Sequence, residues 1–457
     1  MSGALPVRSP WLEQLRRSDP PSPLTADLHT DVVVVGGGIA GASTAFFILR
    51  ETDLRVALVE RGTIGSGATG HNAGQLATYF ERPLADMVAE YGFEATIEAQ
   101  RLIDSAWDLL EQMVRECGTD QRVERFTGNM GMFNLDHVRV HLRQLALRRD
   151  GGLRVPTVLV SRDAPFLDEI PAEFDGLFRV VDDSELRALL GPGTERYCAA
   201  LCSPIGAANG ALLVERVVDH LRREHPDRFV FADHTKVEQI TLGDDGAVLR
   251  TERHTVSCTH VVMCTNGYTD HEIALADGTT IPLHRHITGD RGYMVGVLEP
   301  DVTPPRAYSF IRNEHIGDDE QPYIYVTRRT WDMDGTTQTL AVIGGPEHVL
   351  EDVAPGDDDR DEWFPRDRID EFDHDVMPLA HPSHTPGTPY DFQWHGLMGY
   401  TESRLRFIGR DPRHPSLFHN LGCNGVGFMP SIVGGHRVAR LLAGDTFPPS
   451  LFDPPAL

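Results

Sequence analysis

Val32-Val33-Val34-Val35-Gly36-Gly37-Gly38-Ile39-Ala40-Gly41 is the most informative stretch of the chain. Four consecutive valines read as a strand buried on both faces of a parallel sheet. Gly36, Gly38 and Gly41 fit GxGxxG, and the uncharged run to Leu49 reads as the helix that follows. A second strand, Val56 to Val59, ends at Glu60. Together they make a βαβ unit of about 30 residues. The glycines let the backbone, Ile39 and Ala40 included, approach a pyrophosphate at the helix N-terminus, while Glu60 stands where a ribose hydroxyl would be bound. The uncharged run from Val32 is long enough to suggest a membrane span. Its four glycines and the Arg50-Glu51 pair that follows fit a strand-turn-helix instead, and no membrane segment is expected.

Residues 1–30 read as a leader with one short amphipathic turn (Trp11, Leu12, Leu15) and a proline-rich linker, Asp19–Pro23. Beyond the βαβ unit, apolar spacing predicts a helix over about 95–117, a strand at Gly128–Leu135, and helices over Val138–Arg148 and 211–224. Short strands are expected at Phe229–Ala232, Val237–Leu242, Ala247–Thr251 and His260–Cys264, then at Met294–Leu298, Tyr323–Thr327 and Thr339–Gly344. Acidic runs at Asp318–Glu320 and Asp357–Glu362 read as solvated loops. Leu417–Asn420 leads into a glycine-rich loop and a helix over about Ser431–Leu442. This order implies a nucleotide domain built from 31–80, 205–283 and 397–447. A β-rich lobe is inserted twice, as 81–204 and 284–396, and 448–457 forms a tail.

The length of 457 residues suits two or more lobes. Forty-two basic residues against 68 acidic ones leave a net charge of −26, which repels nucleic acid and anionic membrane and favours the approach of small cations. Lys236 is the only lysine, so any mechanism that needs a lysine must use it. Six cysteines without a CxxC pair suggest buried thiols in a reducing, cytoplasmic setting.

Past Glu60 the chain reads Arg61-Gly62-Thr63-Ile64-Gly65-Ser66-Gly67-Ala68-Thr69-Gly70-His71-Asn72-Ala73-Gly74-Gln75. Here it resembles the D-amino acid oxidase superfamily of flavoproteins, in the branch of glycine, sarcosine and γ-glutamylputrescine oxidases. In that family such a segment wraps the FAD. Val261-Val262-Met263-Cys264-Thr265-Asn266-Gly267-Tyr268 resembles the strand and turn that close on the FAD phosphates, and Val237 lies in the adjoining β-segment. Arg406-Phe407-Ile408-Gly409-Arg410 resembles the strand entering the terminal flavin segment, although the family often has proline where Arg406 stands. Asn420-Leu421-Gly422-Cys423-Asn424-Gly425-Val426-Gly427 resembles the loop whose amides face the flavin pyrimidine oxygen. Its glycines do not fit GxGxxG, which argues against a second site for NADPH. The resemblance covers about 31–445. It implies an α/β fold: a Rossmann-like FAD-binding domain with an inserted antiparallel β-sheet substrate domain.

The resemblance also implies chemistry: FAD-dependent oxidation of a primary or secondary amine by hydride transfer to flavin N5. Imine hydrolysis and reoxidation by O2, giving H2O2, would follow. The alternatives are a dehydrogenase with another electron acceptor, or a flavin subunit of a multi-chain oxidase. A homo-oligomer is left open. Met398 stands where several amino-acid oxidases carry a carboxylate-binding arginine and where sarcosine oxidases carry a flavin-linked cysteine. Methionine supplies neither function, so an amine without a carboxylate fits better. At His71 a histidine of dimethylglycine-oxidising relatives bonds to the flavin, which leaves both covalent and non-covalent FAD open. Tyr323 and Tyr325 alternate toward one face of a strand expected to roof the flavin. His284-Arg285-His286 resembles the crossover into the inserted lobe; no third ligand has metal spacing, so no metal is expected. Lys236 falls near the expected adenine end. A cation near N5 would therefore come from an arginine or a histidine, with His71, His286 and His395 as candidates.

Overall fold

The computed structural model describes residues 5–15, 20–118, 123–191, 193–314, 323–349 and 363–455. The acidic runs Asp318–Glu320 and Asp357–Glu362, expected as loops, lie outside them. Strand β1 (Leu28–Val35) runs into helix α1 (Ile39–Glu51) and then strand β2 (Val56–Val59). Val32, Val33 and Val34 are wholly buried, as a strand covered on both faces requires. Among the described residues the first sheet has nine strands. Its order is Glu272–Leu275, Val237–Gly243, Gly246–Thr251, Thr255–Met263, β1, β2, Phe229–Ala232, with Leu417–Leu421 joined to Thr255–Met263 and Phe407–Arg410 joined to Leu417–Leu421. β1 pairs in parallel with β2 and with Thr255–Met263. Helix α2 (Phe428–Leu442) packs against α1 over this sheet, and Phe46, Phe47, Ile48, Ile432 and Val433 share the core between them. Burying side chains of this size contributes about 1.5–3 kcal/mol each.

The second sheet carries the site's roof. Its leading strands are β3 (Ile287–Glu299), β4 (Tyr323–Met333), β5 (Thr336–Val349) and β6 (Phe392–Thr401), in the order β6-β3-β5-β4. It continues through Arg306–Ile311, Glu124–Met132, Ala199–Ala207, Thr157–Ser161 and Phe178–Val181. The sheet is mostly antiparallel. Two pairs are parallel, Arg306–Ile311 with Glu124–Met132 and Thr157–Ser161 with Phe178–Val181, because long connections separate the partners.

Four local expectations are corrected. The helix expected over 95–117 is two, Phe93–Asp104 and Ala106–Cys117, meeting at Ser105. The Ser105 hydroxyl donates back to the Leu102 carbonyl at 2.7 Å, a local bond that competes with helix continuation. The strand expected to reach Leu135 stops at Met132, because Asn134 caps the next helix by accepting from the His137 N–H at 2.9 Å. The domain boundary expected at 396/397 falls inside β6, which stays paired with β3 as far as Thr401↔Ile287. The segment expected as a leader is built into the fold. Pro10–Glu13 forms a helical turn with Trp11 fully buried, whose Nε1 donates to the Asn72 carbonyl at 2.6 Å. The Ser9 hydroxyl donates to the Gly70 carbonyl at 2.5 Å. Residues 5–15 thus brace the segment that carries His71.

No helix among the described residues is long and apolar enough to cross a membrane. All six cysteines are free.

Candidate active site

A cavity of about 380 Å³ runs from the β1–α1 turn to the roof strands β4, β5 and β6. At its first end Gly36 has φ +109°, a conformation that favours glycine, and a Cβ there would lie 2.7 Å from the Cys264 carbonyl oxygen. Glu60 accepts from the Gly37 N–H at 2.5 Å and the Gly62 N–H at 2.8 Å. Burial still raises its carboxyl pKa above the ordinary value, against the pull of those amides. The Ile39 N–H is capped from outside the helix, by the Thr69 Oγ1 at 2.9 Å. The glycine-rich turn and the segment 61–75 are therefore one unit, not two neighbouring motifs. Lys236 is also at this end, ion-paired with Asp270.

Two asparagines in left-handed conformation clamp the terminal loop to the rest of the cavity wall, Asn266 at φ +53° and Asn424 at φ +48°. Asn266 Oδ1 accepts from the Cys423 N–H at 2.9 Å, and its Nδ2 donates to the Leu397 carbonyl at 3.4 Å. Asn424 Oδ1 accepts from the Thr401 N–H at 2.8 Å, and the Asn424 N–H donates to the Gly399 carbonyl at 3.0 Å. His71 Nδ1 lies 3.1 Å from the Gly67 carbonyl, which makes Nδ1 the protonated nitrogen; burial pushes the ring's pKa down, so it is held neutral.

At the far end stand Tyr79, Tyr323, Tyr325, Glu81, Glu347 and Met398. The Tyr323 hydroxyl donates to Glu81, 2.9 Å from Oε1 and 3.2 Å from Oε2. The Tyr323 and Tyr325 rings are 6.3 Å apart. The Tyr400 hydroxyl donates to Glu347 Oε2 at 3.4 Å. Glu81 is open to the cavity yet ringed by protein. Burial raises its pKa, opposed by the Tyr323 hydrogen bond and the Arg404 charge. Burial, then repulsion from Glu81 and Asp290, pushes the Glu347 carboxyl up to about 8.

Of the catalytic candidates, His71, His395, Tyr323, Tyr325 and Met398 line this cavity. His286 does not. It sits half-buried before the first residue of β3, within range of Arg413 and Glu402. Gly292, the nearer of the two cavity-lining residues of that strand (the other is Met294), is six positions on, about 20 Å along a strand. Among the cofactor candidates, Gly36, Gly38, Ile39, Ala40, Glu60, Arg61, Gly67, Ala68, Thr69, Asn72, Ala73, Val237, Thr265, Asn266, Gly425, Val426 and Gly427 line it. Gly41, Gly70, Gly74, Gly267, Gly409, Gly422 and Asn424 do not line it; a Cβ at Gly41, for example, would collide with the Gly36 carbonyl oxygen. No group of three or more metal-ligating side chains occurs among the described residues.

Sequence reasoning missed Tyr79, Glu81 and Glu347 as site residues. One signal could have found the first two. Gln75, Ala77, Tyr79 and Glu81, every second residue, all line the cavity, so the segment that wraps the dinucleotide end continues in extended form to the far end.

The polar atoms present fit FAD. Thr265 Oγ1, Gln75 Nε2 and Arg406 Nη1 are buried, line the cavity and have no hydrogen-bond partner among the described residues. Buried donors are rarely left so, and phosphates, a ribityl chain and ring carbonyls would serve them. Arg406 is held by Nε and Nη2 donating to Asn420 Oδ1 and the Asn420 carbonyl, both at 2.9 Å. Burial lowers its pKa to about 10.

Residues 31–441 match the family model described as FAD-dependent oxidoreductase, DAO. The chain is 23% identical over 436 residues to the γ-glutamylputrescine oxidoreductase of Escherichia coli (strain K12), covering 92% of this chain and 85% of that one. Among solved structures, the glycine oxidase from Geobacillus kaustophilus aligns at TM-score 0.61 and 18% identity, over 93% of this chain and 98% of its own. The L-α-glycerophosphate oxidase from Mycoplasma pneumoniae, solved with FAD bound, aligns at TM-score 0.58 and 16% identity, over 91% and 94%. At these identities the structural likeness establishes the fold.

Proposed function

The chain belongs to the FAD-dependent oxidoreductase family, and from that premise we propose that it oxidises a primary or secondary amine, with O2 as electron acceptor. The observation that carries this reading is a single cavity with a dinucleotide cradle at one end and tyrosines with carboxylates at the other. FAD, when bound, supplies the hydride acceptor at N5 and passes the electrons to O2, giving H2O2; water hydrolyses the imine product. Gly36 to Ala40 and Glu60 would hold its adenosine and pyrophosphate portions. The amides of Gly425 to Gly427, at the N-terminus of α2, would face the flavin ring, where the helix dipole favours negative charge.

The substrate end positions and dries. Tyr79, Tyr323 and Tyr325 give an approaching ammonium three ring faces and exclude water. Hydride transfer from an amine needs the neutral form held in register more than it needs a base. Met398 leaves β6 without a carboxylate anchor, which favours amines over α-amino acids. The relative from Escherichia coli, named for its action on γ-glutamylputrescine, supports an amine substrate. We take FAD to be held without a covalent bond; the Nδ1 bond to the Gly67 carbonyl fixes the His71 ring and leaves Nε2 as the one nitrogen a flavin could meet. The acceptor assignment rests on Arg406, a buried cation on the cavity wall, whereas Lys236 is ion-paired with Asp270.

Purified holoprotein tests the reading: substrate-dependent bleaching of the flavin that reverses in air supports an oxidase. Bleaching that persists in air and reverses with a dye identifies a dehydrogenase. Acid precipitation tests the linkage, with a yellow supernatant expected and a yellow pellet contradicting it.

A further inference from the structure

The far end of the cavity carries two carboxylates that the oxidation itself does not use. Glu81 comes from the extended segment after the flavin-wrapping loop, and Glu347 from roof strand β5; both line the cavity. A Cβ at Gly425 would lie 2.8 Å from Glu81 Oε1, so the carboxylate rests against the terminal loop. Tyr79, Tyr323 and Tyr325 line the same cavity.

We propose that Glu81 and Glu347 form a binding site for an ammonium group distal to the amine being oxidised, so that the substrate is an aliphatic diamine without a carboxylate. This rests on the amine-oxidation reading and goes beyond it by naming the substrate class.

Four observations carry the assignment. First, Arg61 and Lys236 of the cavity lining stand at the dinucleotide end, each paired with Asp270, while the tyrosine end presents Glu81 and Glu347. Second, both carboxylates are held on the cavity wall by tyrosine hydroxyls, Glu81 by Tyr323 at 2.9 Å and Glu347 by Tyr400 at 3.4 Å. Third, the cation within range of both carboxylates, Arg404, is stacked on the Tyr400 ring at 4.4 Å. Glu347 also faces Asp290 and Tyr400, and Glu81 faces Tyr323. Two carboxylates of like charge lining one cavity gain most from a ligand bringing positive charge, and tyrosine rings add cation–π attraction to that same group. Fourth, an acidic far end beside Met398 repels the carboxylate of an amino acid, so selectivity comes from repulsion as well as attraction.

The test uses holoenzyme and three ligands of matched chain length: 1,4-diaminobutane, n-butylamine and 4-aminobutanoate. Anaerobic flavin reduction as a function of ligand concentration gives each dissociation constant. The diamine is expected to bind at least about tenfold more tightly than butylamine, a difference of about 1.4 kcal/mol, and 4-aminobutanoate more weakly than either. In Glu81→Gln and Glu347→Gln the preference for the diamine over butylamine should collapse to within about threefold. Both are isosteric replacements of carboxyls that burial already biases toward neutrality, and an unaltered flavin spectrum checks that each variant is folded. Equal affinity for diamine and butylamine in the unmodified enzyme overturns the proposal, as does a preference that survives both substitutions. Reduction by butylamine without diamine preference leaves amine oxidation standing; reduction by no amine at all sinks that reading instead.

Discussion

The Tyr323 hydroxyl donates to the Glu81 carboxylate at 2.9 Å, joining the roof sheet to the segment that leaves the cofactor cradle. This bond holds Glu81 in the cavity and opposes the effect of burial on its charge. Tyr323→Phe removes the donor and keeps the ring. One hydrogen bond of this kind contributes about 0.5–1.5 kcal/mol, so KM for a cationic amine should rise about 3- to 10-fold with kcat little changed. Steady-state kinetics at fixed O2 checks this, and an unchanged KM would mean that the bond does not position Glu81.

Glu347 gives the stability curve a sign. Its pKa rises from 4.5 unfolded to about 8 folded. Between those values the native state holds more protons than the unfolded chain, so the stability the group contributes is fully present below about pH 4.5 and lost as pH rises toward 8. In Glu347→Gln that loss disappears. The melting temperature of the variant minus that of the unmodified protein should therefore climb from pH 5 to pH 9, by about 2–4 °C for each kcal/mol recovered. A difference that is flat or falls with pH contradicts the assignment.

Met398 leaves β6 without a carboxylate anchor, so glycine, sarcosine and D-alanine should be poor substrates. Met398→Arg introduces a bidentate donor at that point. It should lower KM for sarcosine at least about tenfold relative to the unmodified enzyme and raise KM for a diamine. Brisk turnover of sarcosine by the unmodified enzyme would show that the carboxylate is bound elsewhere.

Arg406 is expected to act on cofactor retention. Arg406→Met keeps most of the volume and removes both donors to Asn420 along with the charge facing the cavity. FAD affinity should fall about tenfold or more, measured by recovery of FAD fluorescence on dilution. An affinity within about twofold of the original would place the Nη1 group outside the cofactor's reach.

Much of this site was legible because short-range chemistry specifies it. Four valines before a glycine turn can be buried only as a central parallel strand, and the turn at Gly36 favours glycine. The alternation of Tyr323 and Tyr325 placed both rings in one cavity. What stayed hidden depends on meetings between distant segments. Glu81 and Glu347 are separated by more than half the chain, and neither lies in a motif. Trp11 read as part of a leader because a four-residue helix shows no periodicity, and its burial comes from the 70–74 segment. His286 was a candidate for the cation near N5, but it sits in the turn before β3 and does not line the cavity. Arg406 stood out only as a departure from proline; its orphaned Nη1 needs three dimensions to be seen.

The most direct measurement mixes purified, FAD-loaded protein anaerobically with 1,4-diaminobutane and then admits air. The visible flavin absorption should bleach on mixing and return in air, with one H2O2 released per bleached flavin. If dithionite bleaches the flavin but no amine, diamine or amino acid does, the chain does not catalyse amine oxidation by itself.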